Sequence, residues 1–309
     1  MPSALFRAYE PARDESAALA LWDACLGSTW PVDPSAFHQI LAGREHMVAE
    51  KRGQLIGFVA ARSHGDRGGV LVLLVDPAHR RRGLGRALHD RALDQLRAGG
   101  VRRVRLGPTG SGDNFWAGVP VDLPDAWTYF ENAGWTSHER VTDLVLDLNG
   151  YVTPPGIHAR ATAAGVVVAP ACPEEAASVV ACTGAHFGGW DELFAAAFRS
   201  GEADDVLVAR GPRDAIQGAV LIHGPDARWH GPLRWARRLG AGTGAIGAIG
   251  VAEAARGKGA GLALLARATE ALQERGLVRV YVAGTWLRDW YGKLGYRVWM
   301  DYRVSAREL

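Results

Sequence analysis

The chain has 309 residues, 48% of them apolar and 22% charged, a composition too apolar for disorder and a length that suits about two globular domains. Thirty-five basic against 33 acidic side chains leave a formal charge of +2, so no field over the whole molecule marks a partner of nucleic acid or of an anionic membrane. Three cysteines (Cys25, Cys172, Cys182) without a CxxC pair exclude a disulfide framework and a cysteine zinc site; ten histidines without HxxH spacing give no reason to expect a metal.

In chain order, the first residues, Met1 to Arg7, lack a basic start before an apolar run, and no apolar stretch reaches 18 residues, so a cytoplasmic chain is expected. Residues 47–59 alternate about Arg52-Gly53 as a β-hairpin does, and an apolar strand then ends at Val75. The loop Arg80-Arg81-Arg82-Gly83-Leu84-Gly85-Arg86 follows. Beyond it Leu84, Leu88, Ala92 and Leu96 recur at four-residue steps, which predicts a helix with one apolar face, and residues 101–106 read as the next strand. A glycine-rich stretch, 109–120, precedes Tyr129-Phe130-Glu131-Asn132-Ala133-Gly134-Trp135 and a strand over 143–148. Turn and helix-breaking residues fill 149–156.

From there the chain repeats itself. The hairpin returns at 206–220, with Gly218 standing 161 residues after Gly57; the glycine loop returns at Val251 to Gly261, with Gly261 standing 176 after Gly85. Trp290-Tyr291-Gly292-Lys293-Leu294-Gly295-Tyr296 repeats the Tyr129 segment, and Gly295 again stands 161 after Gly134. Three landmarks that keep their order and nearly their spacing indicate two copies of one unit, with compensating insertions of 15 residues. In the second copy Gly261, Leu265, Ala268 and Leu272 share a helical face, and 277–282 reads as a strand. Each copy has an α+β rhythm.

A strand running into Arg-x-x-Gly-x-Gly and then a helix presents free backbone N–H groups where the helix dipole favours anions. The glycines admit phosphate oxygens close to the backbone, and Arg80, Arg82, Arg86, Arg256 and Lys258 supply charge. Competing phosphate loops do not fit. Gly259 follows Lys258 where a Walker loop needs Ser or Thr, and Leu88 and Leu264 stand where a dinucleotide fingerprint needs its third glycine.

At these residues the sequence resembles the GNAT acetyltransferase superfamily, whose Arg/Gln-x-x-Gly-x-Gly/Ala signature matches 80–85 and 256–261 and whose later aromatic-glycine segment matches 290–296. The resemblance covers nearly the whole chain, twice. It implies two tandem GNAT-like domains, 1–149 and 150–309, each a mixed, mostly antiparallel sheet flanked by helices, the first structural or degenerate and the second catalytic. It further implies acetyl-CoA as co-substrate, with no metal. The pyrophosphate would be held by Arg80, Arg81, Arg82, Gly83, Leu84, Gly85 and Arg86, by Arg256, Gly257, Lys258, Gly259, Ala260 and Gly261, or by both loops. The strands ending at Val75 or Val251 would pair with the pantetheine arm and offer an N–H to the thioester oxygen.

Tyr291 stands where the family's general acid stands, whereas the first copy has Phe130, which has no proton to give; Tyr129 is adjacent. Where the family often carries an Asn, this sequence has Gly284 and Leu123. The general base is unassigned among His223, Glu253, Asp191, Glu192 and water. The first insertion offers Asp113 and Trp116 near the acceptor, and the second, with Trp229 and Trp235 among basic residues, reads as a lid or as packing between copies. The expected activity is N-acetylation of a small-molecule amine, with no nucleic-acid or membrane partner. The alternative is a non-catalytic acyl-CoA-binding or regulatory protein; a tRNA-dependent aminoacyl transferase is disfavoured by two intact loops.

Overall fold

The computed structural model describes residues 4–42, 45–109, 114–225, 227 and 233–309. The chain condenses into two compact units, neither of them one continuous run: residues 1–142 with 237–239 and 300–309, and residues 143–236 with 240–299.

In chain order the first copy supplies β1 (Leu5–Ala8), α1 (Pro11–Leu26), α2 (Pro34–Ile40), β2 (Met47–Lys51), β3 (Gln54–His64), β4 (Arg67–Val75), α3 (Leu84–Ala98), β5 (Arg103–Leu106), β6 (Val119–Pro120), α4 (Pro124–Asn132) and β7 (Glu139–Asp147). The second supplies α5 (Ile157–Ala163), β8 (Val167–Pro170), α6 (Ala176–His186), α7 (Asp191–Arg199), β9 (Val206–Arg210), β10 (Ile216–His223), α8 (Ala236–Leu239), β11 (Thr243–Val251), α9 (Ala260–Glu274), β12 (Arg279–Thr285), α10 (Arg288–Gly292) and β13 (Arg297–Glu308). Local chemistry sets several boundaries. Proline opens α1, α2 and α4, where its missing N–H costs nothing. Arg52 and Gly53 both take positive φ, the two-residue turn that matches the twist of a hairpin.

In the first unit β1, β2, β3 and β4 pair antiparallel in sequence order, β4 pairs parallel with β5, and β5 pairs antiparallel with the C-terminal part of β13, Ser305 opposite Leu106. In the second, β8, β9, β10 and β11 pair antiparallel, β11 pairs parallel with β12, and β12 lies beside β7. Each sheet is therefore mixed and mostly antiparallel, with helices on its faces. Each unit also takes its last strand from the other copy's sequence: 300–309 joins the first unit, and 143–147 joins the second.

The predicted face of α3 is buried, Leu84, Leu88, Ala92 and Leu96 packing with Ala49, Val59, Val70 and Val104. α9 buries more than the predicted stripe. Ala263, Leu264 and Ala266 join Leu265, Ala268 and Leu272 in the core because α5, through Ala161, covers a second side of the helix. On the opposite face of that sheet, Val179 of α6 and Phe194 of α7 pack on Val206, Val208, Ala219 and Leu221. The corresponding face of the first unit is aromatic: Trp22 stacks on Trp116 at 5.2 Å and 13° and meets Phe37 and Phe115, and its indole N–H reaches the Trp30 carbonyl at 2.7 Å. No described helix is long and apolar enough to cross a membrane.

Candidate active site

Both glycine loops are built to one plan. After β4 the chain makes a 3-10 turn, Pro77–His79, then extends at Arg80, passes through Arg81 at φ 60°, and enters α3 from Gly83 at φ 79°. After β11 it makes the turn Glu253–Ala255, extends at Arg256, passes through Gly257 at φ 77°, and enters α9 from Gly259 at φ 90°. In each loop the arginine folds back on its own strand: Arg80 Nε donates to the Val75 carbonyl at 3.0 Å, and Arg256 Nε to the Val251 carbonyl at 3.3 Å. These bonds fix the loop to the strand end; the first-turn amides of α3 and α9, as at any helix start, have no intrahelical partners.

In the second loop space as well as φ favours glycine. A Cβ on Gly259 would lie 3.0 Å from Arg160 Cγ, and Arg160 itself donates to the Gly257 carbonyl at 2.9 Å, so α5 braces the second loop. A Cβ on Gly261 would lie 3.3 Å from the Trp290 ring and 3.4 Å from Val251; on Gly85 it would meet Val75 and Tyr129 at 3.5 and 3.8 Å. Trp290 and Tyr129 thus hold the same place over the second glycine of their loops. A glycine loop at a helix N-terminus, flanked by the exposed Arg256 and Lys258, fits a pyrophosphate.

The strands part beside both loops: β4 and β5 pair only as far as Val70 opposite Leu106, although β4 runs on to Val75. β11 and β12 pair only as far as Ile246 opposite Val282, although they run on to Val251 and Thr285, so the sheet parts there. A bulge against β10 between Ala219 and Leu221, with Ala248 at φ 48°, bends β11 at the parting. Gly247, Ala248, Ile249, Gly250 and Val251 are all half-buried along the slot between the parting strands. The Phe187 ring borders it, 2.6 Å from where a Gly250 Cβ would stand, and Trp190 lies 5.7 Å from Phe187.

In the first unit, the same place is filled. Leu71, Val72 and Leu74 are buried, and after β5 the chain folds back so that the Gly107 Cβ position lies 3.1 Å from the Ala117 carbonyl, with Phe115 and Trp116 buried among the aromatic rings. The insertion expected near the acceptor is therefore core through Phe115 and Trp116. Its Asp113 lies outside the described residues, as does Trp229 of the second insertion; Trp235 is buried.

Tyr291 lies in the last turn of α10, 4% exposed, edge-on to Trp290 at 4.8 Å and to Tyr296 at 5.6 Å. Burial alone raises its pKa well above the usual phenol value. Among the described residues no group hydrogen-bonds its hydroxyl, whereas Tyr296 is tied to Thr269 at 2.8 Å. At the equivalent position of the first unit Phe130 packs among His89, Tyr129 and Trp135, and the Tyr129 hydroxyl is buried without a partner, its pKa pushed up to about 12 by desolvation.

The base candidates are dispersed. His223 is buried in β10 with its pKa pushed down to about 4 by desolvation, and Asp191 and Glu192 stand at the first turn of α7. Glu253 lies exposed in the loop turn. Sequence patterns missed Asp143 and Tyr281, which meet in the second unit beside the parting strands. The one visible signal was an acid at the head of the apolar strand 143–148.

Mixed sheets split beside a glycine loop, built twice in one chain, define a tandem acyl-CoA-type transferase architecture. The acetyltransferase (GNAT) family pattern matches residues 16–117 and 181–296, and the chain belongs to that family. It is 32% identical over 266 residues to a mycothiol acetyltransferase of Kineococcus radiotolerans, covering 82% of this chain and 78% of that one. Among solved structures it resembles a GCN5-related glucosamine N-acetyltransferase region of a fungal multi-domain GH3 β-N-acetylglucosaminidase, with TM-score 0.91 and 27% identity. That match covers 99% of this chain, which spans 38% of the fungal protein's length. A tandem GNAT protein from the clavulanic acid biosynthesis pathway shares the fold, with TM-score 0.67, 17% identity, and 99% and 98% of the two chains covered.

Proposed function

We propose that this protein transfers an acetyl group from acetyl-CoA to the amine of a small molecule, at the slot of the second unit. The observation that carries the reading is the contrast between the units beyond the point where the strands part: in the second, residues 247–251 are half-buried and Tyr291 supplies a phenol, and in the first, Leu71, Val72 and Leu74 are buried and Phe130 replaces the phenol.

In this reading the backbone of 257–262 and the charges of Arg256 and Lys258 hold the pyrophosphate, and the unpaired edge of β11 up to Val251 aligns the pantetheine arm and offers an N–H to the carbonyl oxygen. The amine nitrogen attacks the thioester carbonyl, the C–S bond breaks, and the nitrogen gives its proton to water. Tyr291 gives its phenolic proton to the departing sulfur. A phenol whose pKa is raised by burial stays protonated across neutral pH. The same desolvation raises the proton affinity of the leaving thiolate, so donation remains matched. The glucosamine named for the fungal relative makes an amino sugar the first acceptor to test.

The test is thiol release from acetyl-CoA over a panel of amino sugars, polyamines and amino acids, alongside calorimetric titration with acetyl-CoA. One binding site and turnover with at least one amine are expected. Failure to bind acetyl-CoA overturns the reading.

A further inference from the structure

We propose that Asp143 is a positioning residue of the second unit's slot, contributed by the last strand of the first copy; the role rests on reading that slot as the acetyl-CoA site. Asp143 is 2% exposed. Its Oδ1 accepts the Gly284 N–H at 2.6 Å, and its Oδ2 accepts the hydroxyl of Tyr281, which is itself buried.

The placement follows from strand periodicity. Leu144, Leu146 and Leu148 pack with Val280, Val282 and Ile246 in the core beneath α9. The alternating residues Asp143, Tyr281 and Ala283 therefore face the other side of the sheet, the side that carries α6, α7, Ala248 and the Phe187 ring against Gly250.

The parting of β11 and β12 creates a problem that Asp143 solves. Pairing ends at Val282, so the Gly284 amide, two residues on and at φ 56°, lies beyond the β11–β12 ladder. A buried amide without a partner draws the strand toward whatever carbonyl is in reach. The Asp143 carboxylate binds it from the opposite side and thus holds the end of β12 away from β11. Its second oxygen accepts from the Tyr281 hydroxyl, whose ring Trp299 meets edge-on at 5.6 Å, so one carboxylate links the end of β12 to this phenol.

The experiment uses the full chain and the variants Asp143→Ala, Asp143→Asn and Tyr281→Phe. It measures the acetyl-CoA Kd by calorimetry, melting temperature, and kcat and KM for the best amine of the wild type. Asp143→Ala is expected to raise the acetyl-CoA Kd at least about tenfold, and Asp143→Asn, which keeps an acceptor for Gly284 and a donor for Tyr281, to stay within about threefold of wild type. Tyr281→Phe is expected to raise the acceptor KM with little change in kcat. A folded Asp143→Ala protein with wild-type Kd overturns the proposal, and so does an Asp143→Asn protein as impaired as the alanine variant, since charge rather than geometry then acts. If Asp143→Ala does not fold, the decision passes to Asp143→Asn and Tyr281→Phe: a Kd raised tenfold in the first, or an unchanged acceptor KM in the second, overturns it. A wild type that binds no acetyl-CoA overturns the functional reading instead.

Discussion

Two residues at matching positions, Tyr291 and Phe130, carry the proposed division of labour, and the surroundings of Tyr291 suit a donor: a buried ring whose hydroxyl has no partner among the described residues, with a raised pKa. Tyr291→Phe keeps the ring and its contacts with Trp290 and Tyr296, so we expect kcat to fall about 10²- to 10³-fold with the acetyl-CoA Kd unchanged. Stopped or steady-state thiol release checks this; undiminished turnover removes Tyr291 from the mechanism. Other buried side chains govern acid stability. His89 and His223 both have pKa values pushed down to about 4 by desolvation, below the ordinary 6.5. Below pH 6.5 the unfolded chain binds protons that the folded chain refuses, so stability present above that pH is lost as pH falls toward 4, by on the order of 2–3 kcal/mol per histidine. Urea midpoints measured between pH 7 and 4 should fall accordingly, and less steeply in His89→Gln. An unchanged slope shows that His89 does not titrate this way. Arg81 at φ 60° stands where the second loop has Gly257, a left-handed residue that costs the first loop about 1–2 kcal/mol.

The glycine loop, with its strand and helix, is where sequence and structure agree most closely. Arg-x-x-Gly-x-Gly between an apolar strand and a four-step apolar helix is a local pattern, and local hydrogen bonds, φ preference and burial of one helix face suffice to build it. Gly259→Val forces a β-branched residue to φ 90° and pushes its Cβ against Arg160. We expect acetyl-CoA binding to weaken at least about tenfold. Gly83→Val imposes the same backbone strain at φ 79° but meets no atom within 4 Å and lies in the loop not assigned to the cofactor, so acetyl-CoA binding should weaken about tenfold less. Calorimetry on the two variants distinguishes the loops; equal losses mean that both serve the cofactor. The same reading of elements did not reveal that the first insertion is core. Phe115 and Trp116 look the same in a loop and in a core until the rings that receive them, Trp22 and Phe37, some 80 to 90 residues earlier, are in place.

At the scale of the molecule, the repeat boundary near residue 149 remains our proposal for the point of duplication, and the compact units do not coincide with a single cut there. The first unit includes Tyr302, Val304 and Ser305, all buried, on the strand that covers β5; the second includes Leu144, Leu146 and Leu148 of its α9-side core. Fragments 1–149 and 150–309 expressed separately each lose a strand, and an uncovered edge with missing core side chains favours aggregation. We expect neither fragment to melt cooperatively alone and co-expression to restore a cooperative transition. A fragment 1–149 that melts at the temperature of the full chain refutes this.

The sequence by itself determined the duplication, the α+β rhythm, both glycine loops and the Tyr291/Phe130 difference, because each is written in neighbouring residues whose backbone and burial preferences act within one turn or one strand. Only the tertiary structure decided which unit keeps a half-buried strand beside its loop, which strand completes which sheet, and that Asp143 reaches Tyr281 across 138 residues. Those outcomes depend on side chains far apart in sequence competing for the same buried volume and the same backbone hydrogen bonds, and no local pattern records the result of that competition.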